Sequence, residues 1–329
     1  MKNRILEELK SNNGQAVSGE DISKKLGISR TAVWKHIKKL RGEGYVIESQ
    51  TNSGYKLIEN PDILSLSELE PFLYTGFIGR SIIYLDNVTS TNTYAKKAAE
   101  EPFEEGTVII AEEQTAGKGR LGRLWVSPKG KGIWMTIMLK PDILPVDAPK
   151  LTIAAAHAVV KAFLRCCRLD ARIKWPNDIT VGSKKICGIL TEMSAEGDEI
   201  KYVVIGIGIN ANIGLEDFGP EISNIATSVK LESGRCVSRK ALAASVLNEF
   251  EEVYKAFVRD GSIRSFLNEY KDKSAVLGKE IRIISKKEEI TGFALDISEE
   301  GHLVVRLADG SVRDIMSGEV SVRGVHEYI

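Results

Sequence analysis

Histidine and cysteine are scarce, with four of each in 329 residues. The cysteines (Cys166, Cys167, Cys187 and Cys236) form no C-x-x-C pair, so neither a zinc site nor a disulfide framework is indicated, and a reduced cytoplasm fits. The histidines (His36, His157, His302 and His326) fall at no metal or triad spacing. No Ser/His or Cys/His pair for covalent catalysis is visible. No apolar run reaches the roughly 18 residues of a membrane span. The N-terminus, Met1–Leu9, alternates acidic and basic residues and lacks the apolar core of a secretory signal. What remains is a cytoplasmic protein of two or three domains, with no metal site of its own and no membrane partner.

Net charge is also absent, but only on average. Residues 1–58 carry eleven Lys+Arg and six Asp+Glu, and the rest of the chain carries the compensating acidic excess. Between Lys24 and Arg41 there are seven cations and no anion, an electrostatic footprint for nucleic acid. Ile5, Leu6 and Leu9 mark a first short helix. Ser18 opens a second, with Asp21 at capping-box spacing and Val17 and Ile22 placed as a hydrophobic staple. Gly27 ends it, and Ser29 caps a third helix whose buried stripe is Val33, Ile37 and Leu40. The helix-turn-helix covers about 18–42, and Arg30, Thr31, Trp34, Lys35 and Lys38 lie opposite the buried stripe, where they can meet bases and phosphates. Tyr45–Glu48 and Gly54–Leu57 alternate like strands around a polar turn, Ser49–Ser53, which makes a wing. A protein-binding three-helix unit of the same shape is the competing reading. One module reads a half-site, so a dimer on a palindrome is expected. Glu59–Leu66, with Pro61, reads as a linker.

The most informative stretch is Gln114–Trp125. Within it, Gly117-Lys118-Gly119-Arg120-Leu121-Gly122-Arg123 alternates three glycines with three cations. Glycine lets backbone N–H groups approach a ligand, and arginine offers a planar fork to phosphate or carboxylate oxygens. Apolar runs flank it, Val108–Ala111 and Ile133–Leu139. A loop closing over a small anion is one reading and a solvated basic turn the other. Further on come Lys174-Trp175-Pro176-Asn177-Asp178, in which Trp175-Pro176 implies extended backbone before a turn, and Lys185-Ile186-Cys187-Gly188. Gly206-Ile207-Gly208-Ile209-Asn210 then interrupts an apolar strand with glycines, often a mark of close approach.

Together with Ser90-Thr91-Asn92, these segments resemble the biotin protein ligase family in order and spacing. With the N-terminal helices included, the resemblance extends over nearly the whole chain and is to the bifunctional ligase and biotin operon repressor type. It implies that Ser90, Thr91, Asn92 and Gln114 bind the ureido head of biotin, with Lys118, Gly119, Arg120 and Lys185 completing the biotin site. It implies an adenylate and ATP site of Gly117, Lys118, Arg120, Arg123, Asn177, Lys185 and Asn210. Lys185, Arg120 and Asp178 are the candidate catalytic residues: Lys185 neutralises charge at the reacting centre, Arg120 closes on the adenylate, and Asp178 orients the incoming amine or receives its proton. Position 118 is lysine where the family has arginine. The basic loop is expected to be mobile when empty. DNA contacts are assigned to Ser18, Ser29, Arg30, Thr31, Trp34, Lys35 and Lys38.

Short alternating runs from Glu280 to Arg323 with Gly301 and Gly310 turns read as a small barrel like an SH3 domain, and no catalytic constellation appears there. The expected fold class is α+β and multidomain. A winged helix-turn-helix at 1–60 is followed by a linker at 61–66, a mixed α/β ligase domain of the biotin/lipoate type at 67–272 and an SH3-like domain at 273–329. The expected reaction makes biotinyl-5′-AMP from biotin and ATP, with Mg²⁺ on the phosphates. It then transfers biotin to a lysine of a biotin carboxyl carrier protein. The adenylate doubles as corepressor for a homodimer on operator DNA. A biotin sensor without chemistry and a lipoate ligase are the alternatives.

Overall fold

The computed structural model describes all residues except 13, 43, 51, 52, 60, 61, 286, 287, 319 and 325–329. Pro61 of the linker, the tip of the wing turn and His326 therefore lie outside the described residues. The chain divides into two compact units, Met1–Asp62 and Ile63–Ile329.

In the first unit, helices α1 (Lys2–Ser11), α2 (Gly19–Leu26) and α3 (Arg30–Gly42) bury Ile5, Leu6, Leu9, Ile22, Val33, Ile37 and Leu40 in one core. Ser18 caps α2 by accepting from the Glu20 amide, not from Asp21, two residues on rather than three. Gly27 ends the helix in the left-handed region at φ 66°, which a Cβ disfavours. Ser29 accepts from the Ala32 amide at the start of α3. Strands β1 (Val46–Gln50) and β2 (Gly54–Glu59) pair antiparallel as the wing. The wing is tied down by the Val17–Tyr55 bridge. Gly54 sits so close to the Val17 carbonyl that an added Cβ would lie 2.0 Å from its oxygen.

The second unit is built on a seven-stranded mixed sheet. Its strands are β3 (Ile82–Leu85), β4 (Val108–Ala111), β7 (Ile133–Leu139), β8 (Arg172–Lys174), β9 (Asp178–Val181), β10 (Lys184–Glu196) and β11 (Glu199–Ile209), in the order β3-β4-β7-β11-β10-β9-β8. Only β3 and β4 pair in parallel; the other named pairs are antiparallel. Every residue of β7 is buried, so both faces of the sheet are covered and strand alternation sorts side chains between two cores. Ile133, Met135, Ile137 and Leu139 join the large core, which packs under helices α6 (Lys150–Cys167) and α8 (Arg239–Asp260). Met138 faces a small cluster with Ala95 of helix α5 (Thr91–Ala98). Short helices α4 (Leu66–Leu69) and α7 (Val229–Ser233) and helix α9 (Arg264–Asp272) complete the helical layer.

The stretch read as a basic loop is more regular than expected. Strands β5 (Gln114–Lys118) and β6 (Leu124–Ser127) form an antiparallel hairpin, with a 3₁₀ turn, Arg120–Gly122, at its tip. Leu121 and Gly122 take positive φ there, at 56° and 74°. The Trp175–Pro176 peptide is cis, and residues 175–177 form the turn that links β8 and β9.

The C-terminal strands β12 (Glu280–Ile284), β13 (Glu289–Ile297), β14 (Leu303–Leu307), β15 (Val312–Ile315) and β16 (Ser321–Gly324) make an antiparallel sheet in the order β15-β14-β13-β12-β16. It belongs to the same compact unit as the seven-stranded sheet, and the buried indole of Trp175 donates to the Gly301 carbonyl at 3.1 Å.

Candidate functional site

Two cavities lie at the ends of β10 and β11, one of about 290 Å³ and one of about 50 Å³. Gly119, Arg120, Trp125, Asn177 and Lys185 line both. The hairpin β5–β6 supplies this shared wall, and glycine makes it possible. At Gly208 an added Cβ would fall 2.7 Å from the Trp125 Nε1, and at Gly188 it would fall 3.0 Å from the ring. The Trp125 N–H is buried and has no hydrogen-bond partner among the described residues.

The smaller cavity carries the cations Lys118, Arg120 and Lys185, and the rest of its described lining is uncharged. Ser90, Thr91, Asn92 and Gln114 line it. Ser90 also caps α5, so the cap and the cavity use the same turn. The helix begins at Thr91. Gln114 accepts from the Thr91 amide at 2.8 Å and donates to Ser127 Oγ at 2.9 Å. Asn92 fits beneath β11 because position 206 is glycine: a Cβ there would lie 2.2 Å from its Oδ1.

The larger cavity is cationic on one side and apolar on the other. Arg120, Arg123, Lys174, Lys185 and Arg323 line it, with Asp178 the one carboxylate among its described lining residues. Lys185 Nζ lies 2.5 Å from Asp178 Oδ1 and 4.9 Å from the Trp125 ring centroid. This places one ammonium against a carboxylate and an aromatic face at the junction of the two cavities. Burial pushes the Lys174 ammonium down to about 7 against the favourable field of Asp178, and Lys185, Arg323 and Arg123 push it the same way as burial. The apolar side comes from the 211–227 segment, through Phe218, Ile222, Ile225 and Ala226. Backbone bonds from Lys185 N to Ile225 O and from Thr227 N to Lys185 O, both 2.8 Å, hold that segment against β10. Asn210 reinforces it by donating to the Thr227 carbonyl at 2.9 Å.

Arg120 stands between the cavities. Its guanidinium donates to Asn177 Oδ1 at 3.0 Å, to the carbonyls of Gly318 and Val320 at 2.8 and 3.2 Å, and to Ser317 O. It therefore fastens the hairpin tip to the Asn177 turn and to the C-terminal sheet. Asn177 is itself clamped to Ile189, donating to its carbonyl and accepting from its amide, both at 2.9 Å.

The structure thus brings together all but one of the biotin and adenylate candidates. Lys118 is exposed but reaches the lining of the small cavity. Gly117 lines neither cavity. It is buried under β6, where a Cβ would lie 2.5 Å from the Trp125 carbonyl oxygen, so its place is in the hairpin's packing. Sequence reasoning missed Lys174 as a lining side chain and saw no role for the C-terminal strands, although Arg323 lines the large cavity. Arg323 carried no motif and is 145 residues from Asp178 in sequence.

In the first unit, Arg30, Thr31, Trp34, Lys35 and Lys38 are exposed on α3. Trp34 is 50% exposed, and Lys38 Nζ lies 5.5 Å from its ring centroid. Ser18 and Ser29 are helix caps. No group of three or more metal-ligating side chains occurs among the described residues, and no described helix is long and apolar enough to cross a membrane.

A cationic cavity that shares Lys185, Arg120 and the Trp125 face with a smaller one walled by hydroxyls and amides, on a mixed sheet with a glycine-opened strand, defines a site of the biotin and lipoate ligase class. The model of the biotin/lipoate A/B protein ligase family matches residues 84–210, an HTH domain matches 2–56, and the biotin protein ligase C-terminal domain matches 276–323. The bifunctional ligase/repressor BirA of Bacillus spizizenii is 39% identical over 324 residues, 98% of each chain. The protein of the same description from Escherichia coli is 29% identical, over 96% of this chain and 95% of that one. Among solved structures, the biotin protein ligase of Aquifex aeolicus in complex with biotin and ATP aligns with a TM-score of 0.65 at 30% identity, covering 74% of this chain and 99% of its own. The chain belongs to the bifunctional ligase/repressor family.

Proposed function

We propose that this protein is an ATP-dependent biotin protein ligase that also represses transcription when its own intermediate is bound. The observation that carries the ligase reading is the placement of Lys185 at the junction of the two cavities. A neutral cyclic urea suits the small cavity, whose lining supplies hydroxyls and amides. The acid tail then reaches Lys185. The large cavity takes the nucleotide, with its purine against Phe218, Ile222 and Ile225 and its phosphates among Lys174, Arg123 and Arg323.

In the first step a biotin carboxylate oxygen bonds to the α-phosphorus and pyrophosphate leaves. Lys185 offsets the charge that develops on the phosphoryl oxygens. Mg²⁺ bound to the polyphosphate would keep mostly water and phosphate ligands and help neutralise the phosphates, and Asp178, the one carboxylate among the cavity's described lining residues, would be the side chain to hold it. In the second step the acceptor lysine's amine bonds to the acyl carbon, the bond to the phosphate oxygen breaks, AMP leaves, and the amine's proton passes to Asp178. No enzyme nucleophile is used; proximity and fixed charge do the work. Arg120 and Arg123 close the hairpin over the mixed anhydride and keep water out.

The acceptor is a biotin carboxyl carrier domain. The exposed α3 residues and the wing contact operator DNA, and adenylate binding promotes the homodimer that a palindromic operator requires. Mixing the protein with Mg·ATP and biotin should release pyrophosphate, and lipoate in place of biotin should not. No release with biotin would reduce the protein to a sensor. A gel shift on the operator should tighten when adenylate is present; indifference to adenylate would remove the regulatory coupling.

A further inference from the structure

One row of residues crosses the seven-stranded sheet beneath the two cavities. Register sets Lys174 of β8 opposite Asp178 of β9, Asp178 opposite Gly188 of β10, Gly188 opposite Gly208 of β11, and Gly208 opposite Trp134 of β7. Residues directly opposite one another in neighbouring strands point to the same face. The row therefore runs from the large cavity, lined by Lys174 and Asp178, to the small one, lined by Trp134. At its middle, two adjacent positions carry no side chain. Glycine inside a strand weakens it and marks the close approach of another group.

The group that approaches is the indole of Trp125. At Gly208 the three heavy atoms nearest an added Cβ would be Nε1, Cε2 and Cδ1 of Trp125, at 2.7, 2.9 and 3.4 Å; at Gly188 the nearest would be its Cζ3, at 3.0 Å. The five-membered ring thus covers one glycine and the six-membered ring the other. Trp125 belongs to β6, which with β5 forms a sheet of its own. Backbone bonds from Thr115 N to Val88 O at 2.9 Å and from Ala116 N to Thr89 O at 2.8 Å hold the β5 side, and Arg120 holds the tip. The ring itself is placed by shape, since its N–H makes no hydrogen bond among the described residues. Lys185 Nζ lies 4.9 Å from the ring centroid, so the position of the ring also bounds the place of that ammonium beside Asp178.

We propose that the Gly188–Gly208 pair is the seat into which Trp125 docks when hairpin β5–β6 closes, and that the fit of indole to seat sets how long the closed site retains its activated ligand. The two glycines are positioning residues that act through Trp125. The seat stands on packing; its consequence for the adenylate rests on the reading of the site as that of a biotin ligase. A close-packed contact has no room for an added methyl against a flat ring, so a side chain on either glycine lifts the indole and with it the hairpin.

Gly208→Ala is the change to make, because the three nearest atoms all belong to Trp125, whereas a methyl at position 188 would also press on Lys185 at 3.1 Å. Trp125→Leu removes the Nε1 and Cε2 atoms that the new methyl would strike, and it loses no hydrogen bond from the ring. Closure is read in the full-length chain, with biotin saturating, as the rate of tryptic cleavage after Lys118, Arg120 and Arg123. Retention is read as release of preformed biotinyl-5′-AMP on dilution. G208A should be cut, and should release adenylate, about tenfold faster than wild type or more. G208A/W125L should be slower than G208A in both, because the methyl then fills space the indole has vacated; a methyl that struck biotin itself would gain nothing from the second change. The proposal is overturned if G208A is cut or releases adenylate at the wild-type rate, or if the double variant is at least as fast as G208A. If wild type does not bind biotin, the ligase reading fails, and the same cleavage comparison without ligand still decides the seat. Should G208A not fold, by its thermal melting curve, W125L cut at the wild-type rate overturns the proposal on its own.

Discussion

The two cavities on either side of the Trp125–Lys185 wall bind by different physics. Along the smaller one Thr91, Asn92 and Gln114 bond in a chain with Thr136 and Ser127, which lie outside its lining, and the lining sets Lys118, Arg120 and Lys185 beside an otherwise uncharged wall. In the larger one Arg120, Arg123, Lys174, Lys185 and Arg323 surround Asp178. A neutral pocket recognises its ligand by the direction of hydrogen bonds, which are short-ranged and all-or-none. A cationic pocket recognises by charge, which acts at distance and tolerates variation in geometry. A substitution in the first should act on affinity for one small molecule. A substitution in the second should act on the rate of a reaction in which negative charge moves.

The sharpest way to break that contrast is at the shared lysine. Lys185→Met keeps an unbranched apolar stem, one atom shorter, but removes the ammonium that lies over the Trp125 ring and 2.5 Å from Asp178. The kcat for pyrophosphate release should fall about 10²- to 10³-fold, the range for losing one pre-placed electrostatic group, while biotin binding measured without ATP changes much less. A loss confined to biotin KM with kcat intact would show that Lys185 belongs to the neutral side.

On the neutral side the corresponding change is Gly206→Ala. The new Cβ would sit 2.2 Å from Asn92 Oδ1, and Asn92 has no slack because its amide is held by Leu190, Glu192 and Thr136. Biotin affinity should fall about 10- to 100-fold, with affinity for ATP near wild type. Equal losses for both ligands would mean that the two cavities respond as one body.

These two regions were unequally legible in the sequence. The neutral candidates were found because Ser90, Thr91 and Asn92 are consecutive and Gln114 opens the basic stretch, so a motif gathered what the fold later brought together. Glu192 and Thr136 were invisible for a physical reason: each sits inside a strand among apolar neighbours, and its partner lies across the sheet, where register decides the contact. The basic stretch announced its charge, but its hairpin geometry depends on Gly117 passing under the Trp125 carbonyl, a close approach that composition does not encode. Arg323 lay in a segment that alternates like any small β domain, and only the packing of the C-terminal strands brings it to the cavity. The winged helix was the most readable part, since α2 and α3 are set by caps and a 3.6-residue stripe that need no distant partner.

The smallest effect, and the most specific to the charged side, is a proton. Burial holds the Lys174 ammonium near 7, far below the ordinary lysine range. At pH 8 only about one Lys174 in ten then carries its proton. A polyphosphate bound in the same cavity favours the charged form and draws the pKa back up, so nucleotide binding takes up protons from the buffer. The sign follows from linkage: binding that takes up protons weakens as pH rises above 7, and continues to weaken until the bound form also loses its proton. For stability of the unliganded fold the direction is opposite, because the unfolded chain binds the proton more tightly than the folded one, so this group adds stability as pH rises from about 7 toward its unfolded value. Titrating Mg·ATP at pH 8 in two buffers of different ionisation enthalpy should reveal uptake approaching one proton, reduced sharply in Lys174→Met, while biotin titrated the same way shows almost none. Equal uptake by both ligands, or by K174M and wild type, would place the proton elsewhere and end the claim that charge governs only one of the two cavities.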